Sequence, residues 1–337
     1  MSKAFAEAGL PHGVLQYFHA GSPTTIETLV RDPAIKLVCF TGSVAGGLAV
    51  QKAAADRIVN VGLELGGKDP AYVRSDVDIQ WAAEEIVDGA IFNSGQSCCS
   101  IERVYVDAGI HDEFVAAVQK VLSGYRLGDP LDRTTTIGPV ISKEAKERID
   151  NHILDAVSKG AKTTNPENET FATLPERGNF IVPTLLLEVN HSMAVMTEET
   201  FGPVIPVMKV ESDDQAIGLM NDSEFGLTAS IWTKDTAKGY ELAEQVEAGT
   251  VFVNRCDYPS PVSPSRSAFG TGIGPTSGMI GPILVQRDAA SSIMTANNLQ
   301  DLAWTGWKNS GKGVTLSKYG FDQFVKLKSY HLKDYPK

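Results

Sequence analysis

The sequence predicts an α/β protein, a parallel or mixed sheet covered by helices. Three observations carry this reading. Short apolar runs alternate with helix-period stretches along most of the chain. Glycine-marked turns close several of those runs. At 337 residues the chain can bury a substantial core, and two domains are expected.

Taken in order, Leu37 to Phe40 reads as a buried strand, Thr41-Gly42-Ser43 as a turn and Ala45 to Ala55 as a helix. Strand, Gly-Ser turn and helix N-terminus together make an anion site, because free backbone N–H groups and the helix dipole favour a phosphate. Standing alone, the same motif is more often a plain β–α connection; beside Glu64 and Cys98 the phosphate reading is favoured. Val59 to Leu63 is a second strand that delivers Glu64 at its C-terminal end, where α/β sheets place their sites. Ile79 to Phe92 is helical, Arg103 to Val106 a strand, and His111 to Tyr125 and Lys143 to Lys159 are helices. Asn165 to Arg177 is polar and turn-prone, a surface loop. Pro183 to Leu187, Val204 to Val210, Ser230 to Thr233 and Thr250 to Asn254 are strands, alternating with helices at Asp213 to Asn221 and Thr236 to Glu247.

The net charge of −11 argues against a nucleic-acid or anionic-membrane partner, which would call for a basic face. No apolar run approaches the roughly 20 residues of a membrane helix. The first twenty residues, with Glu7 and His12, do not read as a signal peptide. The four cysteines, Cys39, Cys98, Cys99 and Cys256, suit neither a disulfide framework nor a metal site, so reduced thiols and a cytoplasmic location are expected. Cys39 lies in the apolar run Leu37-Val38-Cys39-Phe40 and reads as a core residue; Cys256 carries no functional signal.

The chemistry concentrates in two short segments. Leu63-Glu64-Leu65-Gly66-Gly67-Lys68 puts a carboxylate on a glycine-rich turn, and Phe92-Asn93-Ser94-Gly95-Gln96-Ser97-Cys98-Cys99 puts a cysteine on a Gly-Gln-X-Cys turn 34 residues later. Together they resemble the two signature blocks of the NAD(P)-dependent aldehyde dehydrogenase superfamily. Phe40-Thr41-Gly42-Ser43, Glu198-Glu199-Thr200-Phe201-Gly202-Pro203-Val204 and Gly249-Thr250-Val251-Phe252-Val253-Asn254 continue the resemblance in the family's order. The resemblance implies an aldehyde dehydrogenase-like fold: an incomplete Rossmann-type cofactor domain over residues 1–65 and an α/β catalytic domain over 66–261. An irregular insertion at 262–300, the end of the core at 301–323 and a C-terminal oligomerisation strand at 324–337 complete the organisation. It also implies that the chain begins inside the cofactor domain, with Met1 to Pro11 in the middle of a helix that leads into a strand at Gly13-Val14-Leu15.

By the same resemblance, Cys98 is the nucleophile and Glu64 the base that activates water for thioester hydrolysis. Cys98 is preferred to Cys99 because the family's cysteine is the second residue after the glutamine, here Gln96. Because relatives that pass the acyl group to coenzyme A lack this glutamate, Glu64 favours release of a free acid. The cofactor is NAD or NADP, held by Thr41, Gly42, Ser43, Gly47, Leu65, Glu199 and Phe201, with Glu199 on the nicotinamide ribose. The Cys98 N–H supplies half of an oxyanion hole; the family's second donor, an Asn, would lie before Met1. The partner is a small-molecule aldehyde, and no metal is implied. The alternative is a non-catalytic fragment able to associate with full-length relatives. A thiol hydrolase lacks support, because no histidine block accompanies the cysteine.

Two further readings concern the end of the chain. Phe324 to Leu332 alternates apolar and polar residues as an edge strand would, and the resembled family pairs this segment across a homodimer or homotetramer. Val262 to Gln300 carries only three charges in 39 residues and no sustained period, so it reads as loop. Joining Pro261 to Asp301 restores a continuous family-like run, and the segment's ends can be encoded as splice boundaries. A translated intron is the expectation, which sequencing the transcript across the junction tests.

Overall fold

The computed structural model describes residues 2–173, 178–256, 283–285, 294–296 and 303–325. Its strands, in chain order, are β1 (Leu37–Thr41), β2 (Asn60–Glu64), β3 (Asp69–Val73), β4 (Ile101–Asp107), β5 (Lys162–Thr163), β6 (Thr184–Leu187) and β7 (Val204–Val210). They continue as β8 (Phe225–Gly226), β9 (Thr228–Trp232), β10 (Thr250–Val253), β11 (Ile283–Val285), β12 (Met294–Ala296), β13 (Trp307–Lys308) and β14 (Gly311–Lys312).

The main sheet has nine strands in the order β12-β11-β10-β9-β3-β4-β7-β6-β5. Its centre, β10 to β6, is parallel throughout, and the outer pairs are antiparallel. The central strands are buried on both faces, as parallel strands covered by helices must be. One core lies under helices Ile79–Ile91 and His111–Ser123, where Ile86, Phe114, Val118 and Leu122 are fully buried. On the other face Tyr72, Ile149, Leu186 and Ile231 form a second core under helix Lys143–Ser158. A smaller sheet, β1-β2-β14, packs Val38, Phe40, Leu63 and Leu65 against helices Pro23–Arg31 and Val44–Ala53.

The segment after Ala303 ties the sheets together. β13 pairs with β8, next to the main sheet, and β14 pairs antiparallel with β2, placing Gly311 opposite Glu64. Gly311–Lys312 therefore joins the same small sheet as the early strands.

Apart from those at Gly13-Val14-Leu15 and in the tail, the predicted strands are present, as are most helices, with small shifts at their ends. β3 was not foreseen. Gly66-Gly67 before it and Pro70 inside it read as breakers, yet it lies at the centre of the sheet, with a register shift between Asp69 and Pro70 that accommodates the missing N–H. Helix Thr236–Ala243 ends earlier than expected. The 165–177 loop contains a helical turn, Glu169–Ala172, whose Phe171 is buried. No strand forms at Gly13-Val14-Leu15; Val14 is 65% exposed, and no neighbour in the described residues pairs with it. Cys39, expected in the core, is exposed. Val38 and Phe40 take the helix-covered face of β1, so period-two alternation turns Cys39 to the open one. The 262–300 segment is not all loop, since β11 and β12 extend the sheet edge; its remainder and the tail beyond Val325 lie outside the described residues.

Candidate active site

β2 ends at Glu64, and four contacts fix that end. The Glu64 carbonyl accepts the Gly42 amide at 3.0 Å, and the next amide, Leu65, donates to the Ser310 carbonyl at 3.0 Å. The carboxylate accepts two side-chain donors: Trp304 Nε1 to Oε2 and Thr315 Oγ1 to Oε1, each at 2.9 Å. Burial pushes its pKa up to about 7, while those two donors pull the other way.

Two other loops cross at the Gly66-Gly67 pair. A Cβ on Gly66 would lie 2.4 Å from a Glu199 carboxylate oxygen, and one on Gly67 would lie 2.4 Å from the Cys98 carbonyl. The Gly67 amide donates to Glu199 Oε1 at 3.0 Å. Only glycine allows a carboxylate and a backbone carbonyl to approach the chain this closely. Glu199 also has its pKa raised to about 7, first by burial and then by the charge of Glu102.

Cys98 is presented by a tight turn. Asn93, Ser94 and Gly95 have φ of 52°, 60° and 72°, and a Cβ on Gly95 would strike the Gly202 carbonyl at 2.2 Å. Gln96 braces the turn, accepting the Ile141 amide at 2.8 Å and donating to the Asn93 carbonyl at 3.0 Å. The Cys98 thiol is held below its ordinary range chiefly by a hydrogen bond from Cys99, against burial and the charges of Glu64 and Glu199. Cys99 moves the opposite way, because bonding to Cys98 and burial keep it protonated. Of the vicinal pair, Cys98 is the one whose thiolate is favoured. Cys99 packs with Leu227 and Trp304.

A buried ion pair holds the Glu199 loop. Lys68 Nζ lies 2.6 Å from Glu102 Oε2, with side chains 0% and 4% exposed. Glu102 accepts the amides of Thr200 and Phe201, each at 2.7 Å. Lys68 and His152 both reach the Thr200 hydroxyl at 3.1 Å. Phe201 itself has a φ of 52°, a left-handed position that this bonding supports.

The remaining expected residues surround the start of helix Val44–Ala53. Thr41 pairs with Glu64 across β1 and β2. Ser43 caps the helix, accepting the Gly46 amide at 3.2 Å. Gly42 makes room for the Phe40 ring and Gly47 for the Leu65 side chain, whose atoms would lie 2.7 Å and 2.6 Å from a Cβ. Leu65 is buried in the small core. The structure thus brings Glu64, Glu199 and Cys98 together, with the capped helix beside them through Gly42. Trp304, Thr315, Lys68, Glu102 and Cys99 were not foreseen in their roles. Of these, Lys68 lies in the quoted glutamate block and Cys99 in the cysteine block.

The model of the aldehyde dehydrogenase family matches residues 1–277. The chain belongs to the aldehyde dehydrogenase family. The match runs into the 262–300 segment and stops short of the 303–325 residues that hold Glu64. Lactaldehyde dehydrogenase of Escherichia coli is 37% identical over 255 residues, covering 75% of this chain and 52% of the relative. The NAD-dependent aldehyde dehydrogenase of Sinorhizobium meliloti superposes with a TM-score of 0.82 at 29% identity, over 99% of this chain and 59% of that one. An NADP-dependent glyceraldehyde-3-phosphate dehydrogenase from Bacillus halodurans, solved with NADP, gives a TM-score of 0.77 at 32% identity, over 95% and 57%. The chain spans about half the length of the curated relatives it matches. Among the described residues, no helix is long and apolar enough to cross a membrane, and no cluster of His, Cys, Asp and Glu is arranged to hold a metal.

Proposed function

We propose that this site oxidises an aldehyde to a carboxylic acid with NAD or NADP, Cys98 acting as nucleophile and Glu64 as base. The observation that carries the proposal is the convergence of two near-neutral carboxyls on a cysteine whose pKa is lowered. The residues present fit a dinucleotide at two points. The capped helix Val44–Ala53 offers a first turn of N–H groups for phosphate, and the Glu199 carboxylate lies where ribose hydroxyls could reach it. Thr41, Gly42, Ser43 and Gly47 would line the first, Leu65 and Phe201 the approach to the second. When bound, the nicotinamide supplies the hydride acceptor.

The chain's own residues do the rest. The Cys98 thiolate adds to the aldehyde carbon, and the Cys98 N–H supports the oxyanion. After the hydride has left, the acyl group remains on Cys98 as a thioester. Glu64 takes a proton from water, the hydroxide adds to the thioester carbon, and acid and thiolate separate.

Reduction of NAD or NADP by purified protein, across a panel of aldehydes, tests this. Cofactor reduction that disappears on Cys98→Ala supports it. Failure with every aldehyde, together with capture of a full-length relative, supports a second reading, a non-catalytic chain that associates with complete relatives. The half-length match is the observation behind that alternative. A homodimer or homotetramer formed through residues 324–337 and a cytoplasmic location belong to the same proposal.

A further inference from the structure

Trp304 and Thr315 stand 240 and 251 positions from Glu64 in sequence, yet their polar groups take one carboxylate oxygen each. Their own backbones are locked to one another: each amide donates to the other's carbonyl at 2.8 Å, closing the 304–315 segment that carries β13 and β14. That segment is in turn registered on Glu64, since Gly311 pairs with it and the Ser310 carbonyl receives the following amide. Trp304 is 8% exposed and belongs to a small apolar cluster with Cys99 and Leu227, against which Cys98 packs. One side chain therefore bonds the base through its N–H and belongs to the cluster beside Cys98.

We propose that Trp304 and Thr315 are positioning residues for the base, a two-donor clamp that fixes the Glu64 carboxylate relative to Cys98. The proposal rests on the reading of Glu64 as the base, but the clamp itself is a physical claim about three side chains. Two donors on two oxygens leave each oxygen a lone pair for water while removing rotation about the terminal torsion. Both donors favour the charged carboxylate, so they oppose the rise that burial imposes. Without them the carboxyl would remain protonated to higher pH and would swing freely.

The test uses no aldehyde and no cofactor, so its failure is distinct from failure of the proposed reaction. The chain has four tryptophans, and their indole N–H signals in a 15N-labelled sample are few enough to follow individually. The Trp304 signal, identified by its loss in Trp304→Phe, is expected to shift with pH around a midpoint near 7 as Glu64 ionises. In Glu64→Gln that titration should vanish from the one signal that shows it in the unsubstituted protein, which identifies Trp304 even if Trp304→Phe does not fold. Thr315→Val should move the midpoint upward by about one pH unit, the scale of one charge-assisted hydrogen bond, while Thr315→Ser should restore it. An indole signal that ignores pH from 5 to 9, or that titrates unchanged in Glu64→Gln, overturns the Trp304 bond. A midpoint indifferent to Thr315→Val overturns the clamp.

Discussion

The carboxylate of Glu199 occupies the space that a side chain on Gly66 would need. A methyl group there would meet Oε2 at 2.4 Å, and the adjacent Gly67 amide already holds Oε1. Gly66→Ala should therefore displace Glu199 and cost about 1–3 kcal/mol of stability through overpacking. Gly218→Ala is the control, because Gly218 is helical and nothing lies within 4 Å of its missing Cβ. That change should be neutral or stabilising by up to about 1 kcal/mol. Denaturant unfolding of the two variants checks the contrast, and equal midpoints would remove the steric account of the Gly-Gly pair.

Cys98 should be the first thiol to react with limited iodoacetamide at pH 7. Cys39 is the competitor, since it is the exposed cysteine, but burial of its sulfur and the charge of Glu64 raise its pKa. Cys98 moves the other way, so its thiolate fraction is larger despite poorer access. Cys99 and Cys256 are buried and should lag. Peptide mass analysis gives the order, and labelling of Cys39 ahead of Cys98 would show that access outweighs ionisation here.

A carboxyl with a pKa near 7 has two consequences at Glu64. In the proposed reaction Glu64 works as a base only when ionised, so turnover should climb through pH 7 and level off above it. Glu64→Gln should lower steady-state turnover by about 10²–10⁴-fold while sparing acylation of Cys98. The stability consequence has the opposite slope. Folding raises this pKa from about 4.5, so the native state holds the proton more tightly and stability falls as pH rises between the two values. Glu64→Gln is free of that loss, and its thermal midpoint relative to the unsubstituted protein should rise from pH 5 to pH 8. A constant difference would mean that Glu64 titrates normally.

What the sequence disclosed and what it hid follow one physical divide. The turns that carry Glu64 and Cys98 were legible because their glycines and glutamine are written beside them. The strand–turn–helix around Ser43 was legible for the same reason. Trp304, Thr315 and Glu102 act through side chains that meet Glu64 or the Glu199 loop only after the chain has folded back, 98 or more positions away. No local pattern marks them. β3 was hidden differently, since Gly67 and Pro70 read as breakers, whereas tertiary pairing with β4 and β9 overrides that propensity. The exposure of Cys39 could not be read from an all-apolar run, because which face of β1 is covered depends on where two helices pack.

The Lys68–Glu102 pair offers the sharpest test of how the Glu199 loop is held. Both charges are out of water, so removing one leaves the other uncompensated, and Glu102→Leu should cost about 3–5 kcal/mol. Lys68→Met alone should cost a similar amount. Replacing both with apolar residues removes the stranded charge, so the double variant should lose clearly less than the two single losses added together. It should not regain full stability, because Glu102 also accepts the Thr200 and Phe201 amides, and two unsatisfied N–H groups cost about 1–3 kcal/mol each. The residual loss is thus the share of Glu102 that belongs to the loop rather than to the ion pair. A double-mutant cycle by urea unfolding separates the two. Additive losses would mean that lysine and carboxylate are independently solvated, and full recovery would mean that the loop amides find other partners.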